Sequence, residues 1–176
     1  MLSAGTGSFY CGTCLRDDTL ARGLIALGHQ VRLVPLYLPL VTDNDEAASA
    51  EEKVLLGGVS AYMQQHSALC RSLPAWVDRV LDSPFVLKMA AGRAGATDPA
   101  DLGPMTRSML LGVDGYQAKA IKSLCAHLEE SETSPEVVLL SNALLLGLAE
   151  PLQEALGAPV VCTLQGEDAF LDALPQ

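Results

Sequence analysis

Residues 1 to 37 read MLSAGTGSFYCGTCLRDDTLARGLIALGHQVRLVPLY. A short apolar start leads into a glycine-rich turn, Gly5 to Gly12, and then into a segment with helical spacing of leucines, Thr13 to Leu27. Gly28 closes that segment, and the apolar run Val31 to Tyr37 follows. This order is typical of a β-α-β unit whose first loop lies at a helix N-terminus. Such a loop can bind phosphate or another anion, because several backbone N–H groups point out of the helix together.

The same alternation returns near the end of the chain. An apolar strand is predicted at 136–140, a helix at 143–156 closed by a glycine, and another strand at 159–164. Strand–helix–strand order at both ends predicts a parallel sheet with helices on its faces. We therefore predict an α/β, three-layer Rossmann-like domain over residues 1–176. A helical insertion at about 59–131 separates the two units.

Helical spacing also organises the insertion. We predict helices at 61–73, 74–82 and 84–91, and a long helix at 104–130. Gly112 and Gly115 should kink or split that long helix. A short strand is further predicted at 54–58.

Composition and charge narrow the function classes. The chain has 49% hydrophobic but only 5% aromatic residues, which suits helices packed on a sheet. Its formal net charge of −10 repels a phosphate polymer, so we do not expect nucleic acid as a partner. No apolar run is long enough for a membrane span, and the start does not have the pattern of a signal peptide. We predict a cytoplasmic protein and leave peripheral association with a membrane open.

The glycine-rich loop is the first candidate binding site. Glycine lets the backbone approach a phosphate, and neighbouring hydroxyls add donors. The candidate residues are Gly5, Gly7, Ser8, Gly12 and Thr13. The alternative is a turn that needs positive φ and binds nothing. No Gly-Lys-Ser/Thr follows, so the loop is not a Walker loop.

Polar residues after the two later strands form the second candidate group. Ser141, Asn142, Glu167 and Asp168 follow predicted strands, where α/β sheets place ligand residues. Helix capping is the competing explanation for each of them. Glu167 and Asp168 are weak candidates for catalysis, and no metal-ligand cluster is visible in the sequence.

Cys11-Gly12-Thr13-Cys14 raises a redox alternative. A C-x-x-C motif at a strand–helix junction is found in thioredoxin-type proteins, because a helix N-terminus lowers the pKa of a thiol. The long helical insertion departs from that fold. Five cysteines are too few and too scattered for a disulfide scaffold in a chain of 176 residues.

Two stretches resemble the N-terminal domain of GT-B glycosyltransferases, especially the retaining family 4 type. The first is Leu20-Ala21-Arg22-Gly23-Leu24 followed by Leu27-Gly28-His29-Gln30-Val31. The second is Pro159-Val160-Val161-Cys162-Thr163-Leu164-Gln165-Gly166-Glu167-Asp168. Two positions depart from the family pattern: Cys11 stands at the first glycine of the family's pair, and Gln165 stands where a histidine is usual.

The resemblance implies an acceptor-side domain, one half of a GT-B architecture. The parent enzyme would transfer a hexose from a nucleotide-diphosphate sugar to a hydroxyl of a glycan, lipid or small molecule. Gly12 and Thr13 would face the donor diphosphate, with Gln165 among the binding residues, and no further cofactor is implied. The donor-binding C-terminal domain is absent, so we expect a piece of a longer protein that is inactive alone. The alternatives are a stand-alone Rossmann-like module for a nucleotide or phosphometabolite and the C-x-x-C redox protein.

Overall fold

The computed structural model describes residues 1–5, 12–37, 56–83, 85–86, 99–131 and 133–172. The candidate residues Gly7 and Ser8 lie outside these ranges, as does Cys11 of the C-x-x-C motif. Of the strand predicted at 54–58, only the end lies within the described part, and residues 56 and 57 are not in a strand. Most of the helix predicted at 84–91 also lies outside it.

A four-stranded sheet forms the centre of the described fold. Its strands are β1 (Leu2–Ser3), β2 (Val34–Pro35), β3 (Val138–Leu140) and β4 (Val160–Cys162). They lie in the order β2-β1-β3-β4, and every neighbouring pair is parallel. This confirms the predicted α/β class and parallel sheet and is compatible with a Rossmann-like fold.

The helices divide into connections and an insertion. The connection from β1 to β2 carries α1 (Gly12–Ala26). The insertion carries α2 (Gly58–His66), α3 (Ala68–Ser72), α4 (Ala75–Leu81), α5 (Pro99–Leu110), a 3₁₀ turn (Gly112–Asp114) and α6 (Ala118–Glu129). A 3₁₀ helix (Ala143–Leu148) and α7 (Ala149–Leu156) connect β3 to β4, and α8 (Glu167–Asp172) follows β4.

Apolar residues spaced along these elements form one core between the sheet and its helices. The strands contribute Leu2, Val34 and Leu140, each at most 3% exposed. The insertion joins the same core through Ile121 and Leu124 of α6, which lie on one helical face. The remaining buried members of the core are Leu36, Leu56, Ala120, Val138, Leu145, Leu148, Leu152 and Ala158. The insertion is therefore packed on the sheet rather than held away from it.

Within the described part, no helix is both long enough and apolar enough to cross a bilayer.

Candidate functional site

The order of the strands locates a topological switch point at the carboxyl edge of the sheet. The chain leaves β1 for β2 on one side, whereas β3 and β4 lie on the other side. β1 and β3 therefore run in parallel at a topological switch point, with Leu2 opposite Leu140. The backbone N–H of Ser141 donates to Leu2 O at 3.0 Å just beyond this pair. In open α/β sheets, ligands bind in the crevice outside the carboxyl ends of two such strands.

Three of the predicted site residues meet at this switch point. Thr13, in the first turn of α1, donates its hydroxyl to Gln165 Oε1 at 3.1 Å. The Gln165 amide nitrogen in turn donates to the backbone carbonyl of Ser141. This chain of hydrogen bonds ties the N-terminus of α1 to the residues that follow β3 and β4. The amide of Gln165 thus forms a bridge in which both of its polar atoms are engaged.

Arg16 brings a positive charge to the same point. Its Nη2 donates to Ser141 O at 2.9 Å and to Asp17 Oδ1 at 2.5 Å. The Arg16 side chain is 33% exposed, while Asp17 is fully buried. The sequence analysis did not select Arg16. Its position one helical turn after Thr13 was the available signal, because residues three apart share a helix face.

Among the predicted site residues that the structure describes, Ser141 is the most buried, with 1% of its surface exposed. Its hydroxyl has no hydrogen-bond partner among the residues that the structure describes. Within that same part, Asp17 Oδ2 is likewise buried without a partner. Buried polar groups are nearly always hydrogen-bonded, to protein, water or ligand. The crevice therefore holds unused hydrogen-bonding capacity beside Arg16 and the N-terminus of α1.

Asn142 and Glu167 bind the protein's own backbone. Asn142 Oδ1 accepts from the N–H of Leu144 at 3.1 Å and caps the 3₁₀ helix. Glu167 Oε1 accepts from the N–H of Ala143 at 2.9 Å, and Oε2 from that of Gln165 at 2.6 Å. The slight burial of Glu167 acts to raise the pKa of its carboxyl, but these hydrogen bonds prevail and lower it. Both side chains fix the loops around the crevice, which agrees with the capping explanation.

The other candidates occupy the rim of this region. Gly5 follows β1 with φ of 79°, a conformation that favours glycine. Gly12 is the first residue of α1, and a Cβ placed on it would meet nothing within 4 Å. Asp168 is exposed in the first turn of α8. Gly5 and Gly12 therefore flank residues 6–11, which lie outside the described part.

The cysteine of the C-x-x-C motif that the structure describes is buried. Cys14 is 2% exposed, and its Sγ lies 3.7 Å from Ser3 Oγ. Thiol exchange needs an accessible thiolate, which this burial opposes.

Within the described part, no group of three or more His, Cys, Asp and Glu side chains is arranged to hold a metal ion.

Comparison of the chain with protein-family models, with curated proteins and with solved structures gives no match.

Proposed function

We propose that this chain is the acceptor-side domain of a GT-B glycosyltransferase and that its crevice binds the diphosphate of a nucleotide sugar. The observation that carries the proposal is the junction of Thr13, Gln165 and Ser141 at the switch point of the sheet. Arg16, which is paired with Asp17, adds a guanidinium donor there. The resemblance of residues 20–31 and 159–168 to the family supplies the reaction class. Neither the fold class nor the site alone specifies a sugar or an acceptor.

The chemistry expected of these residues is electrostatic. A departing nucleoside diphosphate accumulates negative charge, and preorganised donors stabilise that charge at little reorganisation cost. The N–H groups of the first turn of α1 lie at the positive end of the helix dipole. The Arg16 guanidinium and the Ser141 hydroxyl lie beside them and can bind phosphate oxygens. The hexose would pass to an acceptor hydroxyl, with a second domain holding the sugar and nucleoside.

Calorimetric titration of the 176-residue chain with inorganic pyrophosphate, UDP, GDP and ADP tests the proposal. Because the nucleoside would be held by the other domain, all four ligands should bind weakly and within about threefold of one another. A hydrogen bond to a charged group contributes about 1.5–3 kcal/mol, so Arg16→Gln should weaken pyrophosphate binding about tenfold or more. Thr13→Val removes the hydrogen bond to Gln165 and should weaken pyrophosphate binding several-fold.

Two residues on α1 provide matched controls. Thr19→Val removes a hydroxyl that donates only to Leu15 O, and Arg22→Gln removes a guanidinium that pairs with Asp18. Neither residue joins the contacts at Ser141, so both variants should keep the wild-type affinity. Binding of one nucleotide a hundredfold tighter than pyrophosphate would favour the stand-alone nucleotide-binding module instead. Absence of any pyrophosphate binding would contradict the anion site altogether.

A further inference from the structure

A second group of buried polar side chains lies where the insertion meets β2. Tyr37 follows β2, and its backbone N–H donates to Ala4 O at 3.1 Å, at the carboxyl edge of the sheet. Its hydroxyl donates to Gln117 Oε1 at 2.9 Å. Gln117, directly before α6, and Gln64, on α2, are each 1% exposed. These residues are distinct from those at the switch point.

The two glutamines have unused hydrogen-bonding groups. Within the described part of the chain, Gln117 Nε2 has no partner, and neither Nε2 nor Oε1 of Gln64 has one. An amide left buried without partners costs free energy comparable to its desolvation, about 1–3 kcal/mol. Three orphan groups on two side chains are therefore a strong indication that another molecule supplies the missing hydrogen bonds.

Contacts near the glutamines connect α2, α3 and α4 to the start of α6. Arg71 Nε donates to the backbone carbonyl of Gln64 at 2.8 Å, and the same guanidinium lies 3.7 Å from the centre of the Tyr116 ring. Tyr116 precedes Gln117 in the chain. Lys119 Nζ donates to Leu73 O at 2.6 Å and pairs with Asp78 at 2.5 Å. Arg71 therefore contacts both Gln64 and the residue that precedes Gln117.

The chemistry of this interface selects a neutral ligand. Burial raises the pKa of the Tyr37 phenol, so the surroundings disfavour an added charge. The charged groups at the interface already have partners, since Lys119 pairs with Asp78 and Arg71 binds a carbonyl and a ring. An amide nitrogen needs an acceptor and an amide oxygen needs a donor. A hydroxyl group offers both.

We propose that Gln64 and Gln117 bind a neutral hydroxyl-bearing ligand beside Arg71, which connects α2 to the start of α6, and that this ligand is either ordered water or a small polyol. The site goes beyond the proposed function and does not depend on it, because it requires no phosphate and shares no residue with the crevice.

Nuclear magnetic resonance of the side-chain amides tests this directly, with glycerol as the polyol probe. The variants Gln64→Met and Gln117→Met assign the amide signals by their loss. Cross-relaxation from these amides to a long-lived water identifies ordered water as the ligand. Cross-relaxation to ¹³C-labelled glycerol identifies a polyol. Either result supports the site, and the absence of both kinds of signal overturns it.

Thermal unfolding gives a second measurement. Methionine matches glutamine in length and helix propensity but cannot bind a hydroxyl. If the amides are hydrogen-bonded to a ligand, Gln64→Met should lower the unfolding midpoint by about 3 °C or more. Gln117→Met does not serve here, because it also removes the hydrogen bond from the Tyr37 hydroxyl. Gln153→Met, on the exposed face of α7, is the matched control and should leave the midpoint unchanged. An unchanged or raised midpoint in Gln64→Met would overturn the proposal, because it would mean that the Gln64 amide was unsatisfied.

Discussion

The carboxylate of Glu167 stabilises the fold by accepting hydrogen bonds from two backbone N–H groups, those of Ala143 and Gln165. These bonds lower its pKa below the usual 4.5. A carboxyl whose pKa is lower in the folded state stabilises the fold above its unfolded pKa, and this contribution is lost as the pH falls through the folded pKa. We expect Glu167→Gln to lower the unfolding midpoint at pH 7. The difference from wild type should shrink as the pH falls below about 4.5.

Midpoints recorded by circular dichroism between pH 3 and pH 7 measure this difference. Glu154→Gln is the matched control, because Glu154 is exposed on α7 and should not change the midpoint in this way. A Glu167→Gln variant as stable as wild type at pH 7 would show that the two backbone hydrogen bonds contribute nothing measurable. That result would return Glu167 to the group of residues available for ligand binding.

Asp82 should respond to pH in the opposite direction. Its Oδ1 accepts from the N–H of Ser60 at 3.0 Å, yet burial raises its pKa above the usual 3.8, and the charge of Asp78 adds to the effect. As the pH rises, the Asp82 carboxyl therefore ionises in the unfolded chain before it does so in the folded one. The rise in pH consequently destabilises the fold. Asp82→Asn keeps an oxygen acceptor and removes the charge. Its midpoint relative to wild type should rise between pH 3.5 and pH 7.

The same unfolding series checks this second residue. Asp172→Asn, exposed at the end of α8, serves as the control and should follow the wild-type curve. If the Asp82→Asn midpoint fell relative to wild type with rising pH, the carboxylate would be stabilised by its bond to Ser60 rather than destabilised by burial.

At the scale of the elements, two glycines allow a close approach between the insertion and the 3₁₀ helix after β3. A Cβ placed on Gly147 would lie 2.0 Å from Met109 O, and one on Gly112 would lie 2.2 Å from Gly147 O. The obstructing atoms are backbone, so they cannot turn aside. We expect Gly147→Ala to destabilise the fold by roughly 1–3 kcal/mol, as overpacking does in cores. Chemical denaturation measures the change in unfolding free energy.

Gly23→Ala is the matched control for that prediction. Gly23 lies within α1, and a Cβ there would meet nothing within 4 Å. Alanine is the better helix former, so this variant should gain about 0.5–1 kcal/mol. A Gly147→Ala variant as stable as wild type would mean that the two elements can separate without cost, and that the insertion is less tightly joined to the sheet units than the contacts imply.

The positions of the helices could be predicted from local sequence patterns, whereas helix breaks and strand lengths depended on the surrounding structure. Leucine spacing indicated α1, and Gly157, with φ of 63°, ends α7 as predicted. The long helix expected at 104–130 is split by the turn at Gly112–Asp114, as its glycines indicated. The break at Ser67 was missed, because apolar spacing continues across it. There the Ser67 hydroxyl accepts from the N–H of Cys70 and starts a new helix.

On the scale of the whole molecule, the sequence predicted which strand ends carry polar residues but not which of these residues contact one another. Thr13 and Ser141 were identified from their places at a helix start and after a strand, and Gln165 from the resemblance; the structure brings the three together. Arg16 was missed because its bond to Ser141 joins residues 125 positions apart. Gln117 was missed for the same reason, since its partner Tyr37 is 80 positions away. Long-range pairing of this kind leaves no local pattern.

Net charge gives a prediction for the molecule as a whole. With a formal charge of −10, the folded chain repels itself, and salt screens that repulsion. The partly buried ion pairs Arg16–Asp17 and Lys119–Asp78 are screened much less than exposed charges. The unfolding midpoint should therefore rise between about 10 mM and about 1 M sodium chloride, as the Debye length falls from about 30 Å to about 3 Å. Differential scanning calorimetry measures it.

A variant of lower charge separates this effect from a general effect of salt. Glu136 and Glu154 are exposed, and replacing each with lysine changes the charge by two, which takes −10 to −6. The double variant should be more stable than wild type at low salt and should gain less on addition of salt. Equal gains in both proteins would attribute the rise to salt acting on apolar burial. A fall in the wild-type midpoint would instead show that attractive ion pairs outweigh the repulsion of the excess acidic residues.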